Sequence, residues 1–137
     1  MWLANGMDDA TWSNAPEGIR TLMSHYFDVM HFQDMDLFDR VFHPECVLYG
    51  VVDGALNVRP YALYREAVVA RQSPATLGNA RDDRILLFDQ ISATAAMVKP
   101  QLQMFGGVMQ DYLSLSYLDD QWWIVAKLWE KVADAPQ

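Results

Sequence analysis

The chain has 137 residues, 52% hydrophobic and 20% charged, with a formal net charge of −8, which describes one globular domain with its own core and leaves no room for a second. No apolar run approaches the roughly 20 residues of a membrane-spanning helix. Ten basic residues scattered among eighteen acids exclude the clustered Lys and Arg by which nucleic acid and anionic membranes are held.

Residues 1–13 show no periodicity and read as a flexible arm. Met1 to Ala15 carry no Lys or Arg and no continuous apolar stretch, so a signal peptide is not expected and the cytoplasm is the expected compartment. A single α+β domain is expected over 14–132, followed by a tail at 133–137. Asn14 with Glu17 reads as a capping pair, with Pro16 in the first turn. Ile19, Leu22, Met23, Tyr26, Phe27 and Met30 then recur at helical steps and predict an amphipathic helix. A shorter helix follows Asp34, with Phe38, Val41 and Phe42 on one stripe, and His43-Pro44 stops it.

Cys46 to Val51 is strand-like. Cys46 is the only cysteine, so no intrachain disulfide or two-thiolate metal site can form, and a small buried hydrophobe is expected there. Asp53-Gly54 predicts a tight turn into a short run at Ala55 to Val58. Pro60 suits the first turn of a third helix carrying Tyr61, Tyr64, Val68 and Arg71 on one stripe. Ser73 to Asp83 is the longest loop; its charges read as a surface ion-pair cluster, with a place for Arg81 or Asp82 at a pocket mouth or a dimer interface left open. Four strands follow, Arg84 to Ile91, Thr94 to Phe105, Val108 to Leu118 and Trp122 to Glu130, with turns at Gly106-Gly107 and Asp119-Asp120. Pro100 predicts an edge position or a bulge. Early helices and a late meander give an α+β fold with helices on one face of a curved sheet.

A two-residue turn at Gly106-Gly107 places Leu102 opposite Asp111. Carried through the last strand, parity collects Val98, Pro100, Leu102, Met104, Asp111, Leu113, Leu115, Tyr117, Trp122, Ile124, Ala126 and Leu128 on one face. That face belongs against the helices. The other face gathers Tyr112, Ser114, Trp123, Lys127 and Trp129, a mixture of aromatics and polar groups that suits a homodimer interface. Asp111 is then a carboxylate on an apolar face, costly unless paired or hydrogen-bonded. Three outcomes are open: pairing with Arg81, Arg84 or a helix N-terminus, a place near solvent at the open end, or a raised-pKa general base or ligand anchor in a pocket.

Three stretches carry a resemblance. Tyr26-Phe27-Asp28 through Phe42-His43-Pro44, Arg71-Gln72-Ser73-Pro74 to Arg81-Asp82-Asp83-Arg84-Ile85, and Asp111-Tyr112-Leu113-Ser114-Leu115 with Trp122-Trp123-Ile124-Val125-Ala126-Lys127 resemble the bacterial putative lumazine-binding family, within the nuclear-transport-factor-2-like superfamily. The likeness covers roughly residues 17 to 130. It implies a cone-shaped fold, three N-terminal helices packed on a strongly curved, mostly antiparallel mixed sheet. It further implies a pocket between sheet and helices and, often, a dimer through the outer sheet face. Some superfamily members are isomerases, dehydratases or cyclases and many only bind. Such enzymes set an Asp or His base against Tyr or Asp donors in an apolar cavity.

Candidates for that set are Asp111 as base and Tyr49 as donor, with Tyr26, His25 and Leu113 as further ligand contacts. His25, His31 and His43 lie in separate turns with no ligand spacing, so no metal is expected. No Gly-rich strand-to-helix loop cradles a phosphate, and no cofactor is expected. Three functions remain open: a binding protein for a small apolar or aromatic ligand, a cofactor-free enzyme moving a proton next to a carbonyl with Asp111, and a homodimeric interaction module.

Overall fold

The computed structural model describes residues 9–136. Its elements run α1 (Asp9–Ser13), α2 (Glu17–Phe32), α3 (Met35–Val41), β1 (Phe42–Val52), β2 (Ala55–Pro60), α4 (Tyr61–Ala70), β3 (Arg84–Ser92), β4 (Ala95–Met104), β5 (Gly107–Leu118) and β6 (Gln121–Asp134). The six strands form one sheet in the order β2-β1-β6-β5-β4-β3. The β1–β6 pair is parallel and the other four pairs are antiparallel, which gives the mixed, curved α+β architecture.

The expected helices form for the expected reason. In α2 the apolar stripe Ile19, Leu22, Met23, Tyr26, Phe27 and Met30 is buried, and Tyr64 and Val68 of α4 join it. Phe38, Phe42 and Tyr64 stack with centroids 4.6 to 5.6 Å apart, tying α3, β1 and α4 together at distances favourable for aromatic pairs. Asp34 caps α3 by accepting from Leu37 N. The Asn14–Glu17 capping pair is not made: Pro16 is the cap residue of α2 and offers no side-chain bond. Within the expected N-terminal arm, residues 9–13 instead form α1, and Trp12 is buried edge-on to Phe88. Residues 1–8 of that arm lie outside the described residues. The expected tail is shorter too, since β6 continues to Asp134.

Three hairpins turn on pairs of residues with positive φ: Asp53-Gly54, Phe105-Gly106 and Asp119-Asp120. Two such residues in succession match the right-handed twist of the flanking strands. The β4–β5 turn is therefore Phe105-Gly106, one residue earlier than expected. Gly107 enters β5 opposite Met104, and Leu102 faces Met109 rather than Asp111. The slip is two residues along the partner, so Asp111 keeps its face. Pro100 is not on an edge, because β4 lies inside the sheet. The neighbouring β3 ladder shifts register between Ile85 and Leu87, beside it.

The largest departure is in β6. Ser114 pairs with Ala126 but Leu115 pairs with Ile124, so one extra residue, Val125, bulges. A bulge reverses the alternation beyond it. Trp122 and Ile124 face the helices as expected, but beyond the bulge, as far as Lys131, the faces are exchanged: Lys127, Trp129 and Lys131 take the inner face, and Leu128 takes the outer one.

Candidate functional site

That reversal builds a cavity of about 340 Å³ between α4 and the inner face of the sheet. Its apolar wall comes from Leu48 on β1, Leu102 and Met104 on β4, Met109 on β5 and Trp129 on β6. Trp129 can lie there because β1 carries Gly50 beneath it. A Cβ on Gly50 would stand 2.2 Å from Trp129 Cε2, far inside contact distance.

On the floor, Asp111 from β5 is 3% exposed. Its Oδ2 accepts a hydrogen bond of 2.5 Å from the phenol of Tyr26, which α2 presents from behind. Burial pushes the Asp111 carboxyl above its ordinary value, against the opposing pull of Lys127 and of the Tyr26 hydrogen bond. Burial also raises the Tyr26 phenol well above its usual range, and the neighbouring Asp111 adds to this. The pair is thus a neutral donor and a carboxyl whose charged form is disfavoured by desolvation.

Beside them Lys127 is 6% exposed. Its ammonium stands 5.2 Å from the Tyr26 ring centre, 5.6 Å from that of Tyr64 and 3.7 Å from Met30 Sδ, and the Tyr64 hydroxyl also reaches this sulfur. Aromatic faces and a thioether are soft substitutes for a carboxylate, and Lys127 makes no ion pair among the described residues.

At the mouth stand Arg59, Arg71, Phe105 and Lys131. Arg71 follows α4, and Gln33, the left-handed cap residue of α2, fixes it. Gln33 Nε2 donates to Val68 O and Arg71 O, while Gln33 Oε1 accepts from Arg71 Nε. The Phe105 ring lies 4.8 Å from the guanidinium carbon. Residues 73–83 are absent from the lining, and Asn79 instead holds the rim by accepting from Phe105 N at 2.7 Å. Arg81 pairs with Asp28 and Asp83, and Arg84 with Asp82, away from Asp111.

Of the residues expected at the site, the structure brings together Asp111 and Tyr26. Asp111 lines the cavity, and Tyr26 backs it from a fully buried position. Leu113 lies in the core and not on the wall. Tyr49 is not at the cavity: it registers with Leu128 on the outer face, while its neighbour Leu48 registers with Lys127 inside. The parity of β1 against the bulged β6 decides this. His25 lines a different and more open depression of about 610 Å³, with Glu17, Arg40, Asp120 and Trp122. Lys127 and Trp129, expected on the dimer face, belong to the cavity, whereas Tyr112, Ser114 and Trp123 stay on the outer face. Trp123 packs edge-on to His43 there.

Sequence reasoning missed the roles of Lys127, Trp129, Arg59 and Lys131. Arg71 stood in plain view at the end of the α4 stripe but was given no role. Burial pushes the Cys46 thiol up to about 12, which leaves it unreactive at neutral pH. No group of His, Cys, Asp and Glu among the described residues could hold a metal ion, and no described helix is long and apolar enough to cross a membrane.

The family described as putative lumazine-binding matches residues 14–130. Among solved structures, a nuclear-transport-factor-2-like protein of unknown function from Shewanella baltica OS155 superposes with a TM-score of 0.75 at 18% identity, over 93% of this chain and 99% of that one. A similar protein of unknown function from Silicibacter pomeroyi DSS-3 gives 0.74 at 16%, over 92% and 100%. A cystatin-like fold protein from Burkholderia xenovorans LB400 gives 0.68 at 17%, over 89% and 97%. At such identities the likeness establishes the fold. A search of curated proteins returns no match.

Proposed function

The chain belongs to the putative lumazine-binding family, and we propose that it binds a small, largely apolar or aromatic molecule in the cavity between α4 and the sheet. The carrying observation is the cavity itself: about 340 Å³, apolar walls, and a few polar groups converging on its floor, which is the usual form of a small-ligand site. Its size suits one or two fused rings, and the family's name points to a fused heteroaromatic ring system. Asp111 fixes orientation, held in place by Tyr26. The test is a thermal-shift and calorimetric screen of small aromatic compounds, lumazine included, on the wild type and on Leu102→Trp, which fills the cavity. Binding lost in the variant supports the reading, and binding retained there removes it.

A second reading, proton transfer next to a carbonyl, is favoured by one observation. Asp111 is a buried carboxyl with a raised pKa, hydrogen-bonded to a phenol at the cavity floor, the environment that makes a general base effective near neutral pH. It predicts deuterium exchange from solvent into the α-carbons of small cyclic ketones, lost in Asp111→Asn. Absence of exchange in the wild type removes it.

The outer sheet face supports a homodimer. Val51, Leu56, Val58, Tyr112 and Leu128 are all exposed on neighbouring strands β2, β1, β6 and β5, an apolar patch larger than isolated surface residues make. Sedimentation equilibrium on the wild type and on Leu128→Lys tests this. A dimer that the lysine dissociates supports the interface, and a wild-type monomer excludes it.

A further inference from the structure

Four of the ten Lys and Arg in a chain of net charge −8 line one cavity. Against Arg59, Arg71, Lys127 and Lys131 the lining offers a single acid, Asp111, whose ionisation burial opposes. Of the six cations elsewhere, Arg65, Arg81 and Arg84 each pair with aspartates on the surface. In the cavity, among the described residues, only Lys131 is in an ion pair, with the exposed Asp134. Arg59 is held by the neutral Asn57, and Lys127 by rings and a sulfur.

Arg71 is the most telling of the four. Its Nε is committed to Gln33 Oε1 and its guanidinium face to the Phe105 ring. Its Nη2 is buried and has no hydrogen-bond partner among the described residues. A buried donor without an acceptor costs the free energy of its desolvation, and such groups in folded proteins call for an explanation. Here the surroundings supply one. The Gln33 bonds fix the guanidinium at the end of α4, and Phe105, which covers it, is 43% exposed on a hairpin turn. The planar fork of an Arg is matched by a carboxylate, whose oxygens accept parallel N–H bonds.

Resting on the reading that the cavity holds a small ligand, we propose that this ligand is an organic acid: an aromatic or apolar body lies against Leu102, Met109 and Trp129, and its carboxylate is held by Arg71 at the mouth. Lys127, Arg59 and Lys131 supply the positive field that draws the anion in, and the neutral amide of Gln33 leaves the Arg71 charge free for it. Phe105 turns aside and then covers the bound carboxylate.

The experiment uses aromatic monocarboxylates from benzoate to 1-naphthoate, each beside its neutral primary amide, titrated into the ¹⁵N-labelled full chain. Each acid is expected to bind about tenfold or more tightly than its amide, as a charge-assisted bond lost in the amide requires. Arg71→Gln is expected to remove that preference, and Arg71→Lys to keep part of it. Equal affinity of acid and amide for the wild-type cavity overturns the carboxylate inference and leaves the ligand cavity standing. Cavity resonances that respond to neither series overturn both. The wild-type comparison decides the matter even where a variant fails to fold.

Discussion

Asp111 and Lys127 sit on adjacent strands, each nearly closed to water, and neither forms an ion pair among the described residues. A carboxyl whose folded pKa is raised binds its proton more tightly in the folded state than in the unfolded one. Its contribution to stability therefore falls as pH climbs from the unfolded value, about 3.9, through the higher folded value. Two results are expected. The Asp111 carboxyl carbon titrates by NMR with a midpoint above the ordinary carboxylate value, and the wild type loses stability relative to Asp111→Asn across that window. A midpoint at or below 3.9 contradicts the role of burial. Because Lys127 holds the Asp111 pKa down, Lys127→Met should move the same midpoint further up, and an unchanged midpoint would show that the two do not sense each other. The sequence made Asp111 conspicuous, since a lone acid on an apolar face needs a reason. It could not make Lys127 conspicuous, because a lysine beside Trp123 and Trp129 reads as an outward-facing residue until the bulge is known.

At the scale of elements, the inner face of β6 depends on one extra residue. The helices α2, α3 and α4 were legible from their apolar stripes, α1 was not, and the hairpins were legible from Asp53-Gly54, Gly106 and Asp119-Asp120. The bulge at Val125 was not: it carries no glycine or proline, and it is set by how β6 fits between β1 and β5. One residue of slip there moved Lys127 and Trp129 from a supposed interface into the cavity and left Tyr49 outside. Gly50 is the counterpart of that shift on β1. Gly50→Ala forces the Trp129 ring off the wall and should cost about 1–3 kcal/mol, the usual range for overpacking, with a changed tryptophan emission. An unaltered melt and spectrum would mean that Trp129 does not lie against β1. Gln33→Ala removes the bonds that fasten the end of α4 to α2. It should cost about 1–2 kcal/mol in denaturant unfolding and should weaken carboxylate binding through Arg71. Unchanged stability and affinity would argue that Arg71 is positioned by something else.

For the whole molecule, the fold and the ligand site separate cleanly. Relatives at 16 to 18% identity share the cone and its topology, while the chemistry of this cavity comes from side chains that such identities do not fix. An acidic protein concentrates cations at one mouth, which steers small anions inward although the global field repels them. The most direct measurement is NMR of methyl-labelled methionines with bound 1-naphthoate. Met104 and Met109 line the cavity, while Met35 and Met97 lie elsewhere on the chain. Nuclear Overhauser contacts from the ligand to the methyls of Met104 and Met109, and none to Met35 or Met97, are the predicted result. Saturable binding without contacts to Met104 or Met109, or no binding at all, would contradict the claim that this cavity is the working site.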